Sequence, residues 1–174
     1  VSQLKVNEII KQSGSSITIG VDGDTVSGPF TNVPAFQVNL GSNPTISNDT
    51  YTKVTFATES IDTDSAFASG AFTVPSGKAG TYFFSAALTL DGDSNSNLTS
   101  GAFAFYKNGS DAGNGVETIF SSNPVRYTSL ASSIKIALVA GDYMEIYAHI
   151  KSEDSSGGRV LSGSSFSGQR IIGA

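Results

Sequence analysis

The sequence predicts an all-β, antiparallel jelly-roll sandwich, and three observations carry that reading. Short apolar or alternating stretches recur along the chain. Clusters of Gly, Asn, Asp and Ser separate them, and no long stretch carries the apolar period of a helix. Many short strands joined by turns of that chemistry are what a sandwich or jelly roll requires.

Residues 1–33 stand apart. The segment "LKVNEIIKQSGSSITIGVDGDTVSG" is polar and glycine-punctuated, and the first aromatic of the chain is Phe30. Such a stretch buries too little apolar surface to form a core alone. Leu4 to Ile10 is its best helix candidate, but it is short, and Val6, Ile9 and Ile10 are β-branched. "SITIGV" (16–21) alternates like a strand, and Pro29 and Pro34 flank the passage into richer sequence. The reading is an extended N-terminal arm over 1–33 and a compact domain over 34–174. The alternative is that 1–33 supplies edge strands to that same domain.

Strand signals then follow in order. "AFQVNL" (35–40) alternates, and "YTKVTFA" (51–57) does so more loosely. The run from Tyr82 to Leu90 is denser, with only Ser85 and Thr89 breaking Tyr, Phe, Phe, Ala, Ala, Leu and Leu. A strand wetted on one face alternates, so this one reads as apolar on both sides for much of its length. One face then fills the core, and the other meets a second copy of the subunit; the alternative is an ordinary inner strand with one exposed aromatic. "AFAFY" (102–106) and "SIKIALVAGDYMEIYAHI" (133–150) continue the style, and "GQRIIGA" closes the chain. Gly80 reads as a tight turn into the long strand. Asn108-Gly109 is a strong hairpin signal because both residues adopt positive φ readily, and Gly141-Asp142 sits similarly between two apolar strands.

Composition narrows the function. Charged residues are 14 % of the chain, against about a quarter in an ordinary soluble domain. The surface is therefore polar without being charged, as in extracellular and virion β-proteins. With a net charge of −5 and no basic stripe, nucleic acid is not an expected partner. There is no cysteine, which excludes disulfides and thiolate metal sites. No apolar run reaches the ~18–20 residues of a membrane-spanning helix, and no membrane partner is expected. The start at Val1, without methionine or a signal-peptide core, reads as processed or trimmed.

Catalytic signals are weak, and the chain reads as a non-enzyme. The one histidine, His149, lies in an alternating strand and reads as structural, and "SGSSFSG" (162–168) lacks the spacing of a nucleophile elbow. Carboxylate pairs such as Asp22/Asp24, Asp62/Asp64 and Glu153/Asp154 lie in turns, where Asp is expected for backbone reasons. "DGDSNSN" is the candidate metal site. Asp91, Asp93, Asn95 and Asn97 alternate and offer hard oxygen ligands suited to calcium. The loop departs from the EF-hand pattern, with Ser96 in place of the glycine and Ala102 in place of the glutamate. A solvated connection between strands is the other reading, and no other cofactor is expected.

Several motifs, in order, carry a family resemblance. "PAFQVNL" (34–40) looks like the opening strand of the complement C1q/tumour-necrosis-factor-like jelly roll. Phe56, Asp62 and Phe67 stand at the intervals of that family's signature, and Gly80-Thr81-Tyr82-Phe83-Phe84 matches its Gly-x-Tyr-x-Phe element. Phe72 comes two positions before the family's intermediate aromatic, and Val74 occupies that place. "YKNG" (106–109), "LVAGDYMEIYA" (138–148) and "FSGQRI" (166–171) resemble later elements. The resemblance implies a homotrimer held through apolar, aromatic-rich strand faces. Residues expected in the core or at the trimer interface are Phe36, Phe56, Phe67, Tyr82, Phe84, Phe103, Phe105, Tyr143, Ile146, Tyr147 and Phe166. Separately, "LKVNEII…SGSSITI…GDTV" resembles N-terminal segments of virion proteins of marine tailed phages.

Together these imply a homotrimeric virion protein, anchored to other virion proteins through 1–33 and displaying a jelly roll at the particle surface. It would be a capsid decoration or a fibre component. Two alternatives stay open: a fibre-tip module that binds a host receptor or glycan, and a secreted C1q-like binding protein.

Overall fold

The computed structural model describes residues 33–120 and 122–173, and every regular element among them is a β-strand. The compact unit opens at Val33. The arm drawn over 1–33 (but for Val33) and the strand drawn over 16–21 lie outside the described residues. In chain order the strands are β1 (Ala35–Asn39), β2 (Thr45–Ile46), β3 (Thr52–Lys53), β4 (Thr58–Asp62), β5 (Phe67–Ala68), β6 (Ala71–Thr73) and β7 (Gly80–Asp91). Then come β8 (Leu98–Lys107), β9 (Ser110–Asp111), β10 (Val116–Ile119), β11 (Tyr127–Leu138), β12 (Tyr143–Ser152), β13 (Gly158–Val160) and β14 (Ser165–Gly173).

These strands make two antiparallel sheets. The first runs β4–β1–β14–β7–β11, with β13 and β2 continuing it past the end of β14 along β7. The second runs β10–β8–β12–β6–β5, with β3 on β12 and β9 on β8. The chain crosses between sheets at β2–β3, β3–β4, β4–β5, β6–β7, β7–β8, β10–β11, β11–β12 and β12–β13, the jelly-roll pattern.

Strand alternation fills the space between the sheets. From the first sheet β7 sends in Tyr82, Phe84, Ala86, Leu88 and Leu90, β11 sends Leu130, Ile134 and Leu138, and β1 and β14 send Phe36, Val38 and Phe166. The second sheet answers with Phe72, Phe103, Phe105, Met144, Ile146 and Ile150. Phe56 and Phe67 are buried in the same cluster. Tyr82 keeps its phenol satisfied by donating to the Lys78 carbonyl at 2.6 Å.

Four expectations change here. The run Tyr82–Leu90 does alternate: its outer face holds Phe83, Ser85, Ala87 and Thr89, so Phe83 is the one bulky apolar side chain turned away from the core. Tyr143 and Tyr147 do not join the core, because Met144, Ile146 and Ala148 take the inner face of β12 and period two sends the residues between them outward. Gly80 is the first residue of β7 rather than part of a turn, and a Cβ there would collide with the Ile172 carbonyl of β14. In "YTKVTFA" only Thr52–Lys53 pairs as a strand, although Val54 still donates to the Ile146 carbonyl at 2.9 Å.

Other motifs acquire physical reasons. Asp62 accepts the backbone N–H of Ala66 and of Phe67, each at 2.9 Å, closing the turn from β4 to β5. Asn108 (φ 52°) and Gly109 (φ 77°) form the β8–β9 hairpin turn. Asp142, after Gly141, ties that turn to the β11–β12 connection. It accepts Asn108 Nδ2 at 2.7 Å, the Val139 N–H at 2.9 Å and Lys107 Nζ at 2.9 Å. Those bonds, led by Asn108, hold its carboxyl down at about 2.

Gly168 makes room within the aromatic core. It pairs with Phe36 on one side and Phe84 on the other, and both neighbouring rings lean across it. A Cβ would lie 2.6 Å from Phe84 Cε1 and 2.7 Å from Phe36 Cε1.

Gly-to-Ala inside a strand ordinarily gains backbone entropy. Gly168→Ala should instead cost about 1–3 kcal/mol by overpacking, read from chemical denaturation; an unchanged or raised stability would refute this account of the core. For Asp142, the folded value of about 2 lies below the ordinary 3.8, so its stabilisation is present above the ordinary value and fades as pH falls toward about 2. Asp142→Asn should lose about 1–2 kcal/mol at neutral pH and show a shallower stability loss through that acid window. Asp154, also held near 2, keeps some of the slope in the variant. Parallel acid-denaturation curves would contradict the assignment.

Candidate functional site

With the inner faces committed to the core, function falls to the two outer faces, which differ in chemistry. The outer face of the first sheet is laid out in rows across five strands. One row reads Ile61, Gln37, Ser167, Ser85, Ser133, and the next Thr58, Asn39, Ser165, Ala87, Ala131. Neither row carries a charge. The row holding Phe83 adds Gln169 and Lys135. Phe83 and the exposed Ile61 border a shallow hollow of about 250 Å³ in this face.

The outer face of the second sheet is aromatic and charged. Tyr106 stacks on Tyr147 at 4.0 Å, and Tyr51 lies 6.4 Å from Tyr106 and 4.9 Å from the His149 ring. Small Ala102 and Ala104 on β8 are buried beneath this layer. Lys53 pairs with Glu145 at 2.6 Å. His149 Nε2 meets Asp49 Oδ1 at 3.0 Å, and Lys151 Nζ donates to Asp49 Oδ2 at 3.1 Å. Those two bonds, Lys151 first, hold the Asp49 carboxyl below its ordinary value. Burial, then the Glu117 charge, pushes the Tyr51 phenol up.

A cleft of about 480 Å³ opens beside this layer, lined by residues of β8, β10 and β12 and by Asp49. Its residues do not form a hydrolytic relay. The Ser100 hydroxyl donates to Glu117 Oε1 at 2.9 Å rather than to histidine. The nitrogen His149 has left, Nδ1, is buried without a partner.

Three of the four residues expected to hold calcium, Asp91, Asp93 and Asn97, have partners within the chain. Asp91 is buried, and its Oδ1 accepts the Asp93 N–H at 2.9 Å and Arg126 Nε at 3.2 Å. Arg159 approaches Asp91 Oδ2 at 3.8 Å and pairs with Asp93. Asn97 donates to the Gly92 carbonyl at 2.7 Å and accepts the Asp154 N–H at 3.2 Å. Two guanidinium groups thus supply the positive charge beside Asp91, and a cation there would have to displace them. Asn95 lies in the same connection, between β7 and β8, and among the described residues no three His, Cys, Asp or Glu side chains converge on one point.

Of the expected packing residues, Phe36, Phe56, Phe67, Tyr82, Phe84, Phe103, Phe105, Ile146 and Phe166 lie in the core, and Tyr143 and Tyr147 on the second sheet's outer face. Sequence reading did not single out Asp49, Tyr51, Glu117 or Lys151. The signal available was the outward set Tyr143, Glu145, Tyr147, His149, Lys151 at period two along β12.

The geometry defines an antiparallel jelly roll whose candidate surfaces are its two outer faces. No protein-family model matches the sequence, and no curated protein does. Among solved structures, the globular domain of zebrafish complement 1qA protein matches with a TM-score of 0.59, covering 81 % of this chain and 99 % of that one at 16 % identity. The fold is the C1q/TNF-like jelly roll, and at that identity the likeness is one of fold.

Proposed function

We propose that this chain is a non-enzymatic, homotrimeric binding module, carried on a tailed-phage particle by residues 1–33 as a capsid decoration or fibre component. The observation that carries the assembly is the pair of uncharged rows across the outer face of the first sheet. Interface cores are depleted of charge because each buried charge must be desolvated. Ser85, Ala87, Ala131, Ser133, Ser165 and Ser167 present no charge and little bulk, so a second protein surface can approach the sheet closely. Phe83 and Ile61 add apolar area at one end of it. In a threefold ring this face meets a different patch of the next copy, and closure of the ring leaves no growing edge. The virion setting is supported by the N-terminal resemblance and by the low charge of the chain. The outer face of the second sheet favours a binding tip over a purely structural role, since its polar groups are fixed by partners yet border an open cleft.

Light scattering on the full chain should return three times the 17.9 kDa of one chain. Ala87→Arg, which places a charge mid-face, should return one chain mass with the fold intact. A wild-type protein that stays monomeric at micromolar concentration, or an Ala87→Arg protein that stays trimeric, would contradict the assembly through this face.

A further inference from the structure

The cleft on the second sheet has a definite chemical character. One wall is β10, with Glu117 and an Ile119 side chain that is 64 % exposed; the other is β12, with His149 and Lys151; Asp49 contributes as well. Tyr51, 45 % exposed, lies against the His149 ring and offers its outer face to solvent. Glu117 uses Oε1 to accept from Ser100, and Lys151 has one of its three protons on Asp49. Donors and acceptors therefore alternate within one concavity beside a flat ring. His149 is held by Asp49 through one ring nitrogen, and its other nitrogen is buried without a partner.

These features discriminate between ligand classes. Phosphate and nucleic acid are disfavoured, because two carboxylates border the cleft. An extended peptide cannot add to the floor as a strand, because β8 and β12 already pair from Lys107/Met144 to Ser100/Lys151. A purely apolar molecule would have to desolvate Asp49, Glu117 and Lys151. A polyhydroxylated ring fits on every count: its hydroxyls both donate and accept, and its C–H face carries the positive edge that the negative face of an aromatic ring attracts.

We propose that this cleft binds a saccharide unit, with Tyr51 stacking on the sugar ring and Glu117, Asp49 and Lys151 bonding its hydroxyls. The inference rests on the reading of the domain as a binding module, but the site lies within one subunit and does not need the trimer. The test uses the full chain, a printed array of bacterial and mammalian glycans, and saturation-transfer NMR with glucose, galactose, mannose and N-acetylglucosamine. At least one glycan should bind. Tyr51→Ala and Glu117→Gln should each weaken that binding at least about tenfold, the value of one lost contact of roughly 1.4 kcal/mol, while melting as the wild type does. Tyr51→Phe, which keeps the ring, should bind normally, and so should Ala87→Arg, which separates failure of the cleft from failure of the assembly. Binding to no glycan and no sugar, binding that survives both Tyr51→Ala and Glu117→Gln, or binding lost in Ala87→Arg would each overturn the assignment.

Discussion

A layer of aromatic rings has to fit between two sheets, and the rest of the described sandwich depends on that fit. Phe36 stacks on Phe72 at 4.8 Å and on Phe67 at 5.1 Å, and meets Phe166 edge-on at 4.9 Å. Tyr82 and Phe84 stack at 6.0 Å, and Phe84 lies 6.0 Å from Phe166. The rings come from β1, β5, β6, β7 and β14, so both sheets and distant parts of the chain converge on one cluster. Offset and edge-on contacts add directional preference to the burial term. The missing side chain at Gly168 gives the rings of β1 and β14's other neighbour, β7, room to tilt over the strand between them.

Because the interior is settled by those rings, the outer faces are released from holding the domain together, and they diverge. On the first sheet the outward positions are mostly Ser, Ala, Thr, Asn and Gln, with Phe83, Ile61 and Lys135 among the exceptions. On the second they are tyrosines and paired charges, each with a named partner: Lys53 with Glu145, Asp49 with His149 and Lys151, Ser100 with Glu117. A surface that associates with its own copies has least to desolvate when it is uncharged. A surface that selects a polar ligand needs groups already held in place, so that binding costs little ordering. The two faces of one sandwich meet these opposite requirements.

The fold was legible because its long strands alternate around a core and its turns use residues that tolerate positive φ. Asn108-Gly109 and the Phe56, Asp62, Phe67 spacing were readable for that reason, and the structure gives both a hydrogen-bonding or backbone cause. Strand β4, "TESID", and strand β10, "VETI", were not, because edge strands with outward polar residues carry little apolar alternation. The run after Tyr82 misled in a specific way: Ala87 counts as apolar in a pattern, yet on the sheet it is a small outward residue that needs no cover. The cleft was illegible for a topological reason. Asp49 and His149 meet across 100 residues of sequence, and Glu117 joins them only through the β10–β8 and β8–β12 registers. No local motif announces a site assembled by sheet order.

In the proposed assembly one outer face is covered by copies of the chain and the other is open. The chain has no cysteine, so single thiols can report on each face separately. Ala131→Cys sits on the first sheet and Ile119→Cys on the second, and both positions are exposed within one subunit. Thiol-labelling rates on the folded chain decide the matter directly. The account predicts fast labelling at position 119 and strong protection at position 131, with protection lost when Ala87→Arg is added. Equal, fast labelling at both positions in the native protein would contradict it.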